Sequence, residues 1–335
     1  MAISSVPDLL SARRFNRSTL ELRQRIEVVS QEAVTGRRQD LTEATRGSVG
    51  QAHLLNKAVQ DIDNRLDLFK VSETRISVMN QTLSGARLTL DSIGVRVLTV
   101  LGSNSDAGLD TIIEEAESSL RTVFSAFQVN QGNRNLFSGD ATNVSPLGDV
   151  DQLLSDVRAI VSAGPDTATI DAELETYFND PAGGFQTTIY QGGTGSANTV
   201  LLDGDTRLDF TVRADDAAIK QVFRGLAMIA AADVTPFERY SDEYTSFFNA
   251  GSFNLTNGES GLVQLEARLG IGQQTIANSQ DTLEAAKITL SATYNELTSR
   301  DQFEAAAELK AIETQLEASY LLTTRLSELT LTNFI

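Results

Sequence analysis

Cysteine and tryptophan are absent from the 335 residues, histidine occurs once and proline five times. Each scarcity removes a class of chemistry. Without cysteine there is no thiolate nucleophile, no disulfide framework and no Cys/His zinc site, and His53 is the one histidine a hydrolytic triad could use. Positive charge is scarce too: 27 lysines and arginines stand against 45 acidic residues, a net charge of −18. That balance opposes non-specific binding to nucleic acid or an anionic membrane, so neither is expected as a partner. Long apolar runs are also missing. Residues 1–15 (MAISSVPDLLSARRF) lack the apolar stretch of a secretory signal, and the most apolar segment, 226–234, is less than half of the ~20 residues a bilayer span requires. The expectation is a cytosolic protein, or one that leaves the cell by a route reading no cleavable signal. A cysteine-free chain suits the second, because it cannot cross-link in an oxidising exterior.

What is present is order along the chain. The prolines stand at 7, 146, 165, 181 and 236, leaving 8–145 and 237–335 free of them. Proline breaks helices, so two long proline-free ends imply helical arms around an inserted domain. Steps of seven sharpen this reading. Leu55, Ile62, Phe69, Ile76, Leu83, Leu90 and Val97 are all apolar, as are Leu262, Leu269, Ile276, Leu283, Leu290 and Leu297. Such a repeat marks helices that bury a narrow seam against another helix. A continuous helix over 48–103 would be about 80 Å long. Two further amphipathic helices are expected at the extremes, over 5–33 and 301–330; periodicity alone favours their packing on their own protein over completing their burial against other subunits. Thr35-Gly36-Arg37-Arg38 after the first reads as a helix stop, with glycine terminating it and the cations suiting its C-terminal dipole.

The middle, 141–257, reads as a small α+β domain. Helices are expected over 151–162 and 171–178, and strands over 185–190, 200–202 and 207–212, with Gly204 centring a hairpin. Asp215 or Asp216 should cap a helix running to about Ala232. The fold class is therefore mainly α: long antiparallel coiled-coil-like arms from both termini with an inserted small α+β domain. The divisions expected are 1–47, 48–140, 141–257, 258–298 and 299–335.

Candidate chemistry is thin. Gly192-Gly193-Thr194-Gly195 lacks the Lys-Ser/Thr of a P-loop and the spacing of a dinucleotide site, and reads as a flexible connection. Asp203, Asp205 and Asp209 lack the remainder of an EF-hand loop and read as turn and strand-face charges. His53 reads as a helix-surface residue. Adjacent acids such as Glu114-Glu115 and Asp215-Asp216 point apart on a helix, which suits no acid/base pair. No catalytic, cofactor or metal residue is expected, and no enzyme.

Three stretches then carry a resemblance. Thr35-Gly36-Arg37-Arg38, 130–139 (NQGNRNLFSG) and the apolar ending 326–335 (LSELTLTNFI) resemble the bacterial flagellin family. Leu136-Phe137-Ser138-Gly139 is most like its hook-associated branch. The resemblance covers 1–140 and 258–335, and departs from the family at Asn135, where an aromatic is usual. It implies a structural subunit exported through the flagellar type III channel and joining hook to filament, with filament flagellin as the alternative. Its implied partners are other copies of itself, a neighbouring hook-associated protein on the hook side, flagellin on the filament side and an export chaperone at the C-terminus. The terminal stripes Leu9, Leu22, Ile26, Val29 and Leu316, Leu322, Leu326, Leu329 would make the inter-subunit contacts. From another class, an acidic cytosolic enzyme or binding module with a helical hairpin remains the competing reading.

Overall fold

A computed structural model describes residues 6–39, 49–91, 93–203 and 205–332, with side chains described over 13–39, 50–91, 93–203 and 205–325. Residues 40–48, the hairpin centre Gly204 and the final three residues lie outside this. Among the described residues the order is α1 (Val6–Thr35), α2 (Val49–Leu90), α3 (Ile93–Ser103), α4 (Asp106–Ala126), β1 (Asn130–Gln131), β2 (Arg134–Asn135), α5 (Val150–Ala163) and α6 (Thr167–Asn179). A π turn (Phe185–Ile189) follows, then β3 (Thr199–Asp203), β4 (Thr206–Asp209), α7 (Ala217–Ala230), a 3-10 turn (Ala232–Val234), α8 (Asp242–Thr298) and α9 (Gln302–Thr332). The chain is mainly α, and among the described residues the two sheets are antiparallel two-stranded pairs. It divides into two compact units: residues 1–64 with 283–335, and 65–282.

The seven-residue repeat does what its spacing dictates in the larger unit. Phe69, Ile76, Leu83, Leu90 and Val97 are buried, and so are Leu262, Leu269 and Ile276. Helices α2 and α8 run antiparallel there: Arg87 lies 3.6 Å from Glu266, and a Cβ built on Gly272 would stand 3.9 Å from the end of Ile76. Instead of one helix over 48–103, α2 ends at Leu90 and α3 begins at Ile93. Asp91, Ser92 and Gly94 are weak interior helix formers, and Leu90 and Ile93 stay buried on either side, so the seam survives the interruption.

Helix α8 begins at Asp242, well before the return expected at 258. Glycines on both helices serve for close approach. A Cβ on Gly225 of α7 would stand 2.7 Å from the Leu255 nitrogen, and one on Gly258 would stand 2.7 Å from the Val222 nitrogen. The two helices therefore pack almost backbone to backbone. The apolar run 226–232 is wholly buried.

Residues 130–139 form a central knot. Gly132 (φ +58°) and Asn133 (φ +62°) are both left-handed, which makes a two-residue hairpin turn whose twist suits its strands. The chain then drives Leu136 and Phe137 inward, Phe137 meeting Phe127 edge to face at 5.0 Å. Buried Phe124, Phe178, Phe185 and Phe223 extend this aromatic core. The glycine-rich loop, expected to be a loose connection, is fastened to the same knot. Gly193 N–H donates to the Ser138 carbonyl at 2.8 Å, Gly195 N–H donates to Asp140 at 2.9 Å, and the Tyr190 hydroxyl donates to the Gly193 carbonyl at 2.8 Å. A Cβ on Gly193 would collide with Asp140. Glycine is there for contact, not for looseness.

The expected strand over 185–190 is the π turn, which puts Phe185 and Ile189 on one buried face and leaves only Tyr190 in an isolated bridge with Leu147. The β3–β4 pair forms where expected, although β4 stops at Asp209. Asp209 accepts from the Ser196 hydroxyl and the Thr211 N–H, so it is a turn residue. Asp216 stands at the start of α7, but its carboxylate accepts from the Arg213 N–H and caps no helix N–H.

Candidate assembly surface at the terminal helices

In the terminal unit α1 and α9 lie antiparallel. Val29, Ala305 and Ile312 form a small core, with Leu22, Ile26, Ala33 and Leu309 packed around it. Polar contacts follow both helices. The Thr19 and Ser319 hydroxyls are 3.3 Å apart, Arg23 donates to the Tyr320 hydroxyl at 2.9 Å and covers its ring, and Arg25 donates to Glu308 at 2.6 Å. Helices α2 and α8 are also linked in this unit, by Lys287 and Asp63 at 2.6 Å.

The helix stop is built as its sequence dictates. Gly36 adopts φ +64°, and its N–H donates back to the Glu32 carbonyl at 2.8 Å, a left-handed cap that favours glycine. The turn then docks on the link between α8 and α9. Arg38 N–H donates to the Thr298 carbonyl and Arg300 N–H to the Gly36 carbonyl, each at 2.9 Å. The Arg300 side chain, mostly buried, reaches Glu308 at 2.5 Å and Glu32 at 3.8 Å. A cleft of about 470 Å³ beside this network is lined by Arg25, Val28, Glu32, Arg38, Arg300 and Glu308.

Of the residues proposed from sequence for subunit contacts, Leu22, Ile26 and Val29 pack against the chain's own C-terminal helix. Leu316 is half-buried and Leu322 is 51% exposed. Leu9, Leu326 and Leu329 lie on helices but outside the described side chains. The structure also exposes apolar residues that were not assigned to subunit contact: Leu20 (58%), Val34 (79%), Leu321 (65%) and Phe303 (90%), the last a member of the C-terminal apolar stripe. The missed signal was an apolar residue off the main stripe, as Leu20 is, about 200° around the helix from Leu22.

The terminal unit is also thinly filled along the long helices. Leu55, Ile62, Leu283, Leu290 and Leu297 continue the seven-residue repeat here; Ile62 is buried, but the other four are only half-buried, unlike their equivalents in 65–282. Among the described residues no group of His, Asp or Glu is arranged to hold a metal ion, and no helix is long and apolar enough to cross a membrane.

The comparisons with known proteins bear on this surface directly. Residues 256–335 match the family model of the bacterial flagellin C-terminal helical region. This span holds most of α8 and all of α9. Among curated proteins nothing matches the chain. Among solved structures it is similar to a putative flagellar hook-associated protein from Vibrio parahaemolyticus, at 13% identity and a TM-score of 0.55, over 74% of this chain and 96% of that one. At that identity what is shared is the fold. A second similarity is to Bacillus cereus FlgL, at 15% identity over 76% of this chain and 97% of that one, and its TM-score of 0.35 carries no structural weight. Residues 256–335 are thus flagellin-like, and the chain shares the fold of a flagellar hook-associated protein.

Proposed function

We propose that this chain is a structural subunit of the bacterial flagellum that joins hook to filament, exported by the type III route and assembling through its terminal helices. The observation that carries the assembly reading is the contrast in burial along one repeat. The seam is closed within 65–282 and half open in the terminal unit. Helices of this kind are marginal in water without tertiary partners. Among the described residues the α1–α9 core fully buries only Val29, Ala305 and Ile312, which is little to set against the entropy of ordering two long helices. Burial supplied by neighbouring copies would complete it, coupling order to polymerisation. The residues assigned to subunit contact are Leu20, Val34, Phe303, Leu321 and Leu322 on the open faces. Leu22, Ile26, Val29 and Leu316 act by holding the helix pair that presents them, and Leu9, Leu326 and Leu329 extend both helices towards their ends.

On this reading the neighbours are a hook-associated protein on one side and flagellin on the other, with a chaperone holding the C-terminal helix before export, and 65–282 contains the outward domain. No catalytic role is assigned. Deleting 1–35 or 305–335 should abolish incorporation into flagella while 65–282 keeps its cooperative unfolding transition. Unfolding of that remainder would refute the division of labour. Purified chain should assemble into short, self-limited structures. Filaments that lengthen indefinitely would instead identify a filament flagellin.

A further inference from the structure

Charge is segregated between the two terminal helices. From Val6 to Arg38 seven cations face four anions, net +3, whereas α9 carries five carboxylates and two cations, net −3. Only part of this polarity is used inside the chain. Arg25 and Arg300 engage Glu308, and Glu32 lies against Arg300. Arg13 and Arg14 on α1, and Glu313 and Glu317 on α9, are exposed and form no salt bridge among the described residues.

The intrachain register keeps these groups apart. Thr19 opposite Ser319 and Arg25 opposite Glu308 set Arg13 and Arg14 beside residues near 324. That is some nine residues from the midpoint of the two glutamates, or about 13 Å along the axis. A sibling chain displaced by that amount brings them together.

We propose that Arg13 and Arg14 of one copy dock on Glu313 and Glu317 of a second copy, slid by about 13 Å along the helix axis. Apolar ground adjoins both patches: Leu20 lies two turns from Arg13, and Leu321 lies one turn from Glu317. The contact is heterologous, since each chain offers its basic patch to one neighbour and its acidic patch to another. It therefore propagates as a ring or helix rather than closing a dimer. Exposed ion pairs add little affinity, but they set register and encounter rate and are screened by salt. The inference rests on the assembly reading above.

The test uses full-length chain and follows self-association by light scattering and sedimentation, with circular dichroism as a control for helix content. Arg13→Glu with Arg14→Glu, and separately Glu313→Lys with Glu317→Lys, should each slow association about tenfold or more at low salt. All four changes together should restore the rate, because the swapped charges again complement each other. Where a reversal lowers helix content, the corresponding Gln pair should still slow association to a lesser degree. Unchanged rates in the reversed variants, or a fourfold variant slower than either pair, would overturn this contact and leave the assembly reading standing. Wild-type chain that stays monomeric at every concentration would overturn both.

Discussion

At the scale of single residues, the positions with the least freedom are glycines and charges held by arginine. Gly36 sits at φ +64°, where a Cβ would also press on Gln302 at 3.3 Å. Gly36→Ala should cost about 1–2 kcal/mol locally. Amide exchange at Arg38 and Arg300 should rise correspondingly, and unchanged protection there would show that the turn does not depend on this conformation. Glu117 offers a pH test. Its hydrogen bond from Arg121, reinforced by the charge of Arg158, holds its carboxyl below the ordinary value of 4.5 against the opposing effect of partial burial. Stability from this group is complete above the unfolded carboxyl's range and is lost as pH falls through the lowered folded value. Glu117→Gln should therefore cost about 1 kcal/mol near neutrality and little once the wild-type group is protonated, as urea midpoints at several pH values would reveal.

At the scale of elements, stepping by seven identified the buried face of α2 and α8 without the structure, because heptad spacing fixes which side of a helix is apolar. It could not say how completely a partner covers that face. Leu83, fully buried, and Leu55, half-buried, occupy the same repeat. Leu83→Ala should cost about 2–5 kcal/mol and Leu55→Ala less than half of that, as chemical unfolding would measure. Equal costs would mean that the terminal unit is as tightly closed as the other. The early start of α8 was hidden because Gly251, Asn257, Gly258 and Gly261 carry the composition of a loop. Their purpose depends on a helix 30 or so residues earlier, which a local reading does not see. The π turn at Phe185–Ile189 was hidden for the opposite reason: FQTTIY has the β-branched and aromatic content of a strand, and burial of Phe185 and Ile189 on one side overrides that preference. For the assembly surface, the main stripe was legible but its use was not. Leu22, Ile26 and Val29 are apolar because they face α9 of the same chain, and only the structure shows which apolar residues are left outside.

At the scale of the whole molecule, the chain divides its composition between a filled unit and a sparsely filled one. Limited proteolysis of dilute monomer should remove the extremities first and leave a fragment containing 65–282, since cleavage follows local opening. End-to-end resistance in the monomer would favour the competing picture of a self-contained soluble protein. The joint at Arg37 and Ser299 has a mechanical corollary. Segments some 261 positions apart in sequence are spliced there by paired backbone hydrogen bonds and the Arg300 side chain. Tension applied to either extremity is thereby shared by the other, and the splice yields only when several bonds shear at once. In the proposed role as a coupling under torque, such load sharing would keep either strand from being peeled away alone.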